Sequence, residues 1–160
     1  MAAPSSTLLL GGSAVVGVAA VGAALVTQHV FGMEPCPWCV LQRVIFLAIS
    51  LACVIGLVWR SALGRRLAAG LALLLAEAGV AAALWQHFVA AASASCNLTL
   101  ADKIVGALRL DSLLPDVFSA RASCADAAVN LFGLPYEFWS LGLYLLLSIA
   151  MIPVLRRPLG

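Results

Sequence analysis

The chain reads as an all-α membrane protein, a four-transmembrane-helix bundle with two extracytoplasmic loops, the second long and carrying a short interfacial helix. Three observations predict it. Of 160 residues, 64% are hydrophobic and 10% charged, where soluble domains hold about 45–50% and about 25%. Nine Lys+Arg and seven Asp+Glu cannot cover a water-soluble surface of this size. Four apolar runs approach or exceed the roughly 20 residues that cross a bilayer, and the arginines gather in one short connection and at the carboxyl end. The whole chain, residues 1–160, reads as a single integral membrane domain. A net charge of only +2 gives no electrostatic footprint for nucleic acid.

No charged side chain occurs between Met1 and Met33, and residues 7–31 form the first span. A cleaved signal peptide would want a basic leader and an apolar stretch of about 7–15 residues; neither is present, so the span is retained. The charge-free run from Val44 to Trp59 is slightly short, so the second span begins near Cys39 or Val40 and covers about 40–59. Arg43 then lies in its first turn and snorkels toward the headgroups. The third span covers about 67–88, interrupted only by Glu77, and the fourth about 138–155, closed by Pro153 and the Arg156-Arg157 pair. Arg60, Arg65 and Arg66 fill the connection between the second and third spans without an acidic neighbour. The positive-inside rule puts that connection and both termini in the cytoplasm. The external loops are then about 32–38 and 90–137. In the second, Lys103, Arg109 and Arg121 are outnumbered by Asp102, Asp111, Asp116, Asp126 and Glu137, which agrees with an external position. Ala90 to Ser95 reads as a flexible lead into it. Ile104, Val105, Leu108, Leu110, Leu113 and Leu114, mixed with charges, suit a short amphipathic helix on the membrane surface.

Five cysteines are the second anomaly. Cys36 and Cys39 fall where the first external loop enters the second span, and Cys96 and Cys124 in the second external loop. Outside the cytoplasm disulfides persist. A Cys96–Cys124 bridge reads either as a staple, worth about 3–4 kcal/mol by loop entropy, or as one half of a relay. A bridge within Cys36-Pro37-Trp38-Cys39 would constrain almost no chain entropy, so this spacing points to reactivity. Cys39 at a helix amino terminus favours a thiolate. Arg43, four residues on, shares its face and either assists that thiolate and an oxygen ligand or anchors the helix to lipid phosphates. Cys53 lies fourteen residues beyond Cys39, about 21 Å along a helix, and reads as packing.

Other polar residues carry two readings each. His29 and His87 close the first and third spans as interfacial side chains or as donors to a bound head group. Glu77, in mid-span, is a functional candidate by default or a protonated acid hydrogen-bonded to a neighbouring helix. Four thiolates could hold a soft metal, but Cys96 and Cys124 are too far apart in sequence for a second Cys-x-x-Cys, and no metal site is predicted. No nucleotide loop or Ser/His/Asp set is present, so electrons must pass to a partner or a membrane-soluble carrier.

Taken together, Gln28-His29 closing the first span, Pro35-Cys36-x-x-Cys39-x-x-x-Arg43 opening the second, Gln86-His87 closing the third, and Cys96 with Cys124 in the second loop resemble the bacterial disulfide bond formation protein B (DsbB) family along nearly the whole chain. The resemblance implies an inner-membrane oxidoreductase that reoxidises a periplasmic DsbA-type thiol oxidase and passes the electrons to quinone, ubiquinone or menaquinone. It also implies the roles. Cys96 takes the mixed disulfide with the partner, Cys124 passes electrons to Cys36, and Cys39 delivers them to quinone. Arg43 stabilises the quinone oxygen and the Cys39 thiolate, with His87 beside them. A DsbA-type partner near about −120 mV needs a still stronger oxidant, which suits quinone better than nicotinamide. At Leu41 and Gln42 the chain departs from the more polar turn of many relatives. Two alternatives make distinct demands: a vitamin K epoxide reductase-like enzyme would carry its loop cysteines before the Cys-x-x-Cys, and a soft-metal transporter would bind metal tightly without reducing quinone.

Overall fold

Small hydroxyl and sulfur side chains set where the helices begin. In the computed structural model, which describes residues 5–92 and 99–156, Ser5 accepts the Leu8 N–H at 3.2 Å and starts α1 (Ser6–Phe31). α1 stops at Gly32, whose φ of 65° is a left-handed cap conformation that glycine adopts without penalty. Cys36 is the amino-terminal cap of α2 (Pro37–Val58), with proline at the first position, where its missing N–H costs nothing. Ser61 accepts from Gly64 at 3.0 Å and starts α3 (Ala62–Trp85), which runs on into a π-helical turn, Gln86–Ala90. Three short helices follow, α4 (Leu100–Ala107), α5 (Leu110–Leu113) and α6 (Pro115–Phe118). A two-stranded hairpin, β1 (Asn130–Leu131) and β2 (Leu134–Pro135), then leads into α7 (Tyr136–Arg156). Phe132 and Gly133, both at positive φ, make its two-residue turn of the type that matches strand twist.

α1, α2, α3 and α7 are each long and apolar enough to cross a membrane, and together they form the four-helix bundle that the composition predicts. α2 packs along both α1 and α3, α3 also packs along α7, and α7 closes the ring on α1 through a thinner contact. Lipid tails are as apolar as leucine, so close packing and interhelical hydrogen bonds hold such helices together, not exclusion of water. α3 accordingly turns a small-residue stripe inward: Ala68, Ala69, Ala72, Ala76, Gly79, Ala82 and Ala83 are all buried. Tyr144 of α7 lies against Gly79, where any Cβ would clash with its ring. The same ring stacks on Phe46 at 4.2 Å and gives its hydroxyl proton to the Gln42 carbonyl at 2.9 Å. Leu10, Ile49, Cys53 and Met151 fill the middle. Outward, Leu8, Val15, Val18, Leu71, Leu74 and Leu146 remain exposed, an apolar surface that suits lipid.

Several sequence expectations shift. Because Ser61 caps α3 so early, Arg65 and Arg66 stand in its first turns and only Arg60 remains in the connection. The three arginines still share the end of the bundle that Arg156 occupies. Pro153 lies inside α7 and does not close it; a missing donor is tolerated in a membrane helix. Arg157, Cys96 and the 93–95 part of the Ala/Ser lead lie outside the described residues. Glu77 forms no hydrogen bond to a neighbouring helix among the described residues. Ala76 occupies the inward face, so the next residue is turned outward and exposed.

The single amphipathic helix expected around 104–114 is broken at Arg109 (φ 54°), and a further short helix starts at Pro115. Its first piece, α4, is fixed by a reciprocal capping box between Thr99 and Asp102. α4 docks on α2: Ala101 is buried, and Val105 joins Val40 and Phe118 in a small second core. This docking carries the second loop back over the amino-terminal end of α2.

Candidate active site

At that end the backbone of α2 offers its first N–H groups unpaired within the helix. The Cys39 N–H points at Cys36 Sγ at 3.3 Å, and the two sulfurs lie 2.8 Å apart. The second loop closes over them. Arg121 and Ala122 N–H groups bond the Pro35 carbonyl at 2.9 and 3.3 Å, which sets Cys124 beside Cys36. Hydrogen bonding with Cys124 and with Cys39, together with burial, pushes the Cys36 thiol well above the ordinary range. Cys124 is held below its ordinary value, chiefly by hydrogen bonding with Cys36 and then by the Trp38 backbone N–H. The shared hydrogen bonding thus raises the pKa of Cys36 and lowers that of Cys124.

Below the cysteines a polar network fills the first two turns of α2. Gln86 donates to Cys39 Sγ at 3.2 Å, and Gln42 donates to Gln86 Oε1 at 2.7 Å, so the sulfur that faces the bundle is solvated by a fixed amide. Gln86 continues the buried stripe of α3 at helical spacing, three residues after Ala83 and seven after Gly79, and the π-helical turn begins at it. Such turns are often found at functional sites. Arg43 is 5% exposed and so does not snorkel to headgroups; α2 begins earlier than the sequence predicts, and the guanidinium is drawn inward. It donates to Gln28 Oε1 and the Val117 carbonyl, both at 2.7 Å, and to the Ala24 carbonyl at 3.4 Å. Gln28 in turn donates to the Asp116 carbonyl at 3.2 Å. No carboxylate pairs with Arg43 among the described residues. A buried cation without an anion is costly, so this socket favours a thiolate or an electron-rich oxygen beside it.

Two cavities meet here. One, of about 570 Å³, opens at the cysteine end and is bordered by Met33, Glu34, Arg121 and Asp126. The other, of about 230 Å³, lies in the thin contact between α1 and α7, walled by Ala20, Ala23, Ala24 and Leu143. Thr27, Cys39, Arg43 and Tyr136 line both, and the Thr27 and Tyr136 hydroxyls meet at 3.1 Å between them. The second cavity has small apolar walls on α1 and α7, with a sulfur, a guanidinium and amides on α2 and the end of α3. That combination fits a flat, lipid-soluble ring with carbonyl oxygens.

Of the residues that the sequence singles out, Cys36, Cys39, Cys124 and Arg43 come together. His87 borders neither cavity; its Nδ1 lies 2.6 Å from Glu137 Oε1, and Glu137 borders the inner one. His29 is exposed, and Cys53 is buried in the bundle away from the other thiols. Among the described residues no three His, Cys, Asp or Glu side chains converge as a metal site would require. The sequence reading overlooked Gln28, Gln42, Gln86 and Glu137 as parts of the site. The glutamines carry a usable signal, since an uncharged polar side chain in or beside a span needs a partner there. Glu137 is one of five acidic residues between 90 and 137 and carries no sequence signal that sets it apart.

A family model described as disulfide bond formation protein DsbB matches residues 6–154. Disulfide bond formation protein B 1 of Pseudomonas aeruginosa is 34% identical over 162 residues, spanning 98% of both chains. Disulfide bond formation protein B of Aromatoleum aromaticum is 35% identical over 143 residues, covering 87% of this chain and 86% of its own. That of Cupriavidus metallidurans is 32% identical, covering 90% and 89%. The four apolar helices, the adjoining thiols and this match together make the chain a multi-pass bacterial inner-membrane thiol:disulfide oxidoreductase, and it belongs to the DsbB family of disulfide bond formation proteins.

Proposed function

We propose that the protein reoxidises a reduced, thioredoxin-like DsbA-type oxidase in the periplasm and passes the two electrons to quinone, ubiquinone or menaquinone, in the bilayer. The observation that carries this reading is the row Cys124, Cys36, Cys39, which ends at the inner cavity beside Arg43, a guanidinium with no carboxylate partner among the described residues. Arginines at the opposite end support a cytoplasmic location for both termini and a periplasmic one for the cysteines.

Thiol exchange proceeds by thiolate attack on a disulfide sulfur. A partner thiolate attacks Cys96 of a Cys96–Cys124 disulfide and releases Cys124. The freed Cys124 thiolate attacks Cys36 of a Cys36–Cys39 disulfide and releases Cys39. The partner's second thiol resolves its bond to Cys96, so the partner leaves oxidised and this chain holds two more electrons. The freed Cys96 thiolate attacks Cys124 of the Cys36–Cys124 bond, which re-forms Cys96–Cys124 and releases Cys36. Bound quinone takes up two electrons and two protons. Cys36 and Cys39 then re-form their disulfide as two electrons leave at Cys39, while Arg43 orients an oxygen and balances negative charge. His87 acts on this site through Glu137.

Purified full-length protein mixed with a reduced thioredoxin-like partner should reduce a short-chain quinone, and serine at Cys36, Cys39, Cys96 or Cys124 should stop it. Absence of quinone reduction by the unaltered protein would overturn the reading. Full activity in Cys96→Ser would leave the loop pair as a staple.

A further inference from the structure

We infer that Glu137 and His87 form the proton path into the inner cavity, with Glu137 handing a proton to the substrate oxygen and His87 refilling it from water. This rests on the proposed reduction of quinone there. The need for such a path follows from the balance. When the Cys36 thiol and the Cys39 thiolate become a disulfide, two electrons and one proton leave. Conversion of a quinone to a quinol consumes two electrons and two protons, so one proton must come from elsewhere.

Among the described residues, the titratable side chains bordering the inner cavity are Cys39, Arg43, Tyr136 and Glu137. Cys39 supplies electrons, and an arginine does not release its proton in a protein. The Tyr136 hydroxyl is engaged by Thr27. Glu137 is the carboxyl on this wall, set in the first turn of α7 and only 4% exposed. Glu34, Arg121 and Asp126 face the other cavity. A carboxyl buried this far needs either a proton or a cation, and Nδ1 of His87 lies 2.6 Å away.

His87 lies near the cysteine end of the third span and is placed to connect this carboxyl with the bundle surface there. Its side chain is 31% exposed, and Phe88 and Phe138 hold the ring with centroids at 4.8 and 4.7 Å. With Nδ1 committed to Glu137, Nε2 is the remaining nitrogen, and an imidazole can take a proton at one nitrogen and release one from the other. Each turnover then moves one proton from water through His87 and Glu137 to the cavity, and Cys36 supplies the second. A purely structural ion pair, tying the π-helical turn to α7, would need neither the cavity wall nor the exposed edge.

The test uses the full-length protein in its dithiol form and a short-chain quinone in single turnover. Glu137→Gln keeps a hydrogen bond to His87 but has no acid proton; it should slow quinol formation about 100-fold with the quinone KM little changed. His87→Ala should be slow and regain rate with added imidazole. An independent readout needs no quinone: the infrared carbonyl band of a protonated acid in the reduced protein should vanish in Glu137→Gln and shift in His87→Ala. Unaltered rate and pH profile in Glu137→Gln, or no rescue of His87→Ala by imidazole, would overturn the path while leaving quinone reduction intact. No quinone reduction by the unaltered protein would instead remove the premise and the path with it.

Discussion

The two halves of α2 are built by opposite rules. From Cys36 to Arg43, buried polar groups are joined into a network of thiols, glutamine amides and a guanidinium. From Ile45 to Gly56, the inward face is apolar or small, and its one hydroxyl, Ser50, is satisfied by the Ala14 and Phe46 carbonyls at 3.0 and 2.9 Å. In a low-dielectric interior an unsatisfied polar group is costly. The first half therefore fixes geometry through partners and the second through fit. The network leaves the Arg43 guanidinium without a carboxylate among the described residues.

Substitutions can break one half without the other. Arg43→Met should raise the quinone KM about 10–100-fold, roughly 1.4 kcal/mol per decade, as seen in steady-state quinone kinetics, and Arg43→Lys should not restore it, because one ammonium cannot reach three oxygens in fixed directions. Unchanged kinetics would reduce Arg43 to a structural strut. In the second half, a Cβ at Gly56 would meet the Ala68 methyl at 2.7 Å. Gly56→Val should cost about 1–3 kcal/mol by overpacking, read as a lower thermal midpoint in detergent, while turnover per folded molecule holds. A smaller effect separates the thiols by pH. Because thiolates react and thiols do not, alkylation of the reduced protein by a small reagent should reach half its maximal rate below pH 9.0 at Cys124 and above it at Cys36. The reverse order would contradict the shared hydrogen bonding.

How much of this the sequence reveals follows the same division. The spans are legible because apolar length is a one-dimensional property, and the boundaries of α1 and α7 fall within two residues of expectation. α2 and α3 begin earlier than expected because Cys36 and Ser61 cap them, a local effect that hydropathy does not register. Cys36, Cys39 and Arg43 are legible as a group because one helix carries them at fixed spacing. Cys124 beside Cys36, and Glu137 beside His87, depend on loop closure over 88 and on helix pairing over 50 sequence positions, which no local pattern encodes. The histidines drew attention as titratable side chains, yet Gln28 and Gln86, each one position earlier and turned inward, touch Arg43 and Cys39.

In the proposed relay, electrons cross between the loop and the helix at Cys124 and Cys36. That crossing is tested most directly in the full-length chain with Cys39→Ser, Cys96→Ser and Cys53→Ala, which leaves those two thiols alone. A mild thiol oxidant, followed by mass-spectrometric mapping, should yield a Cys36–Cys124 disulfide in most molecules. Two free thiols, or disulfides only between separate molecules, would contradict the account.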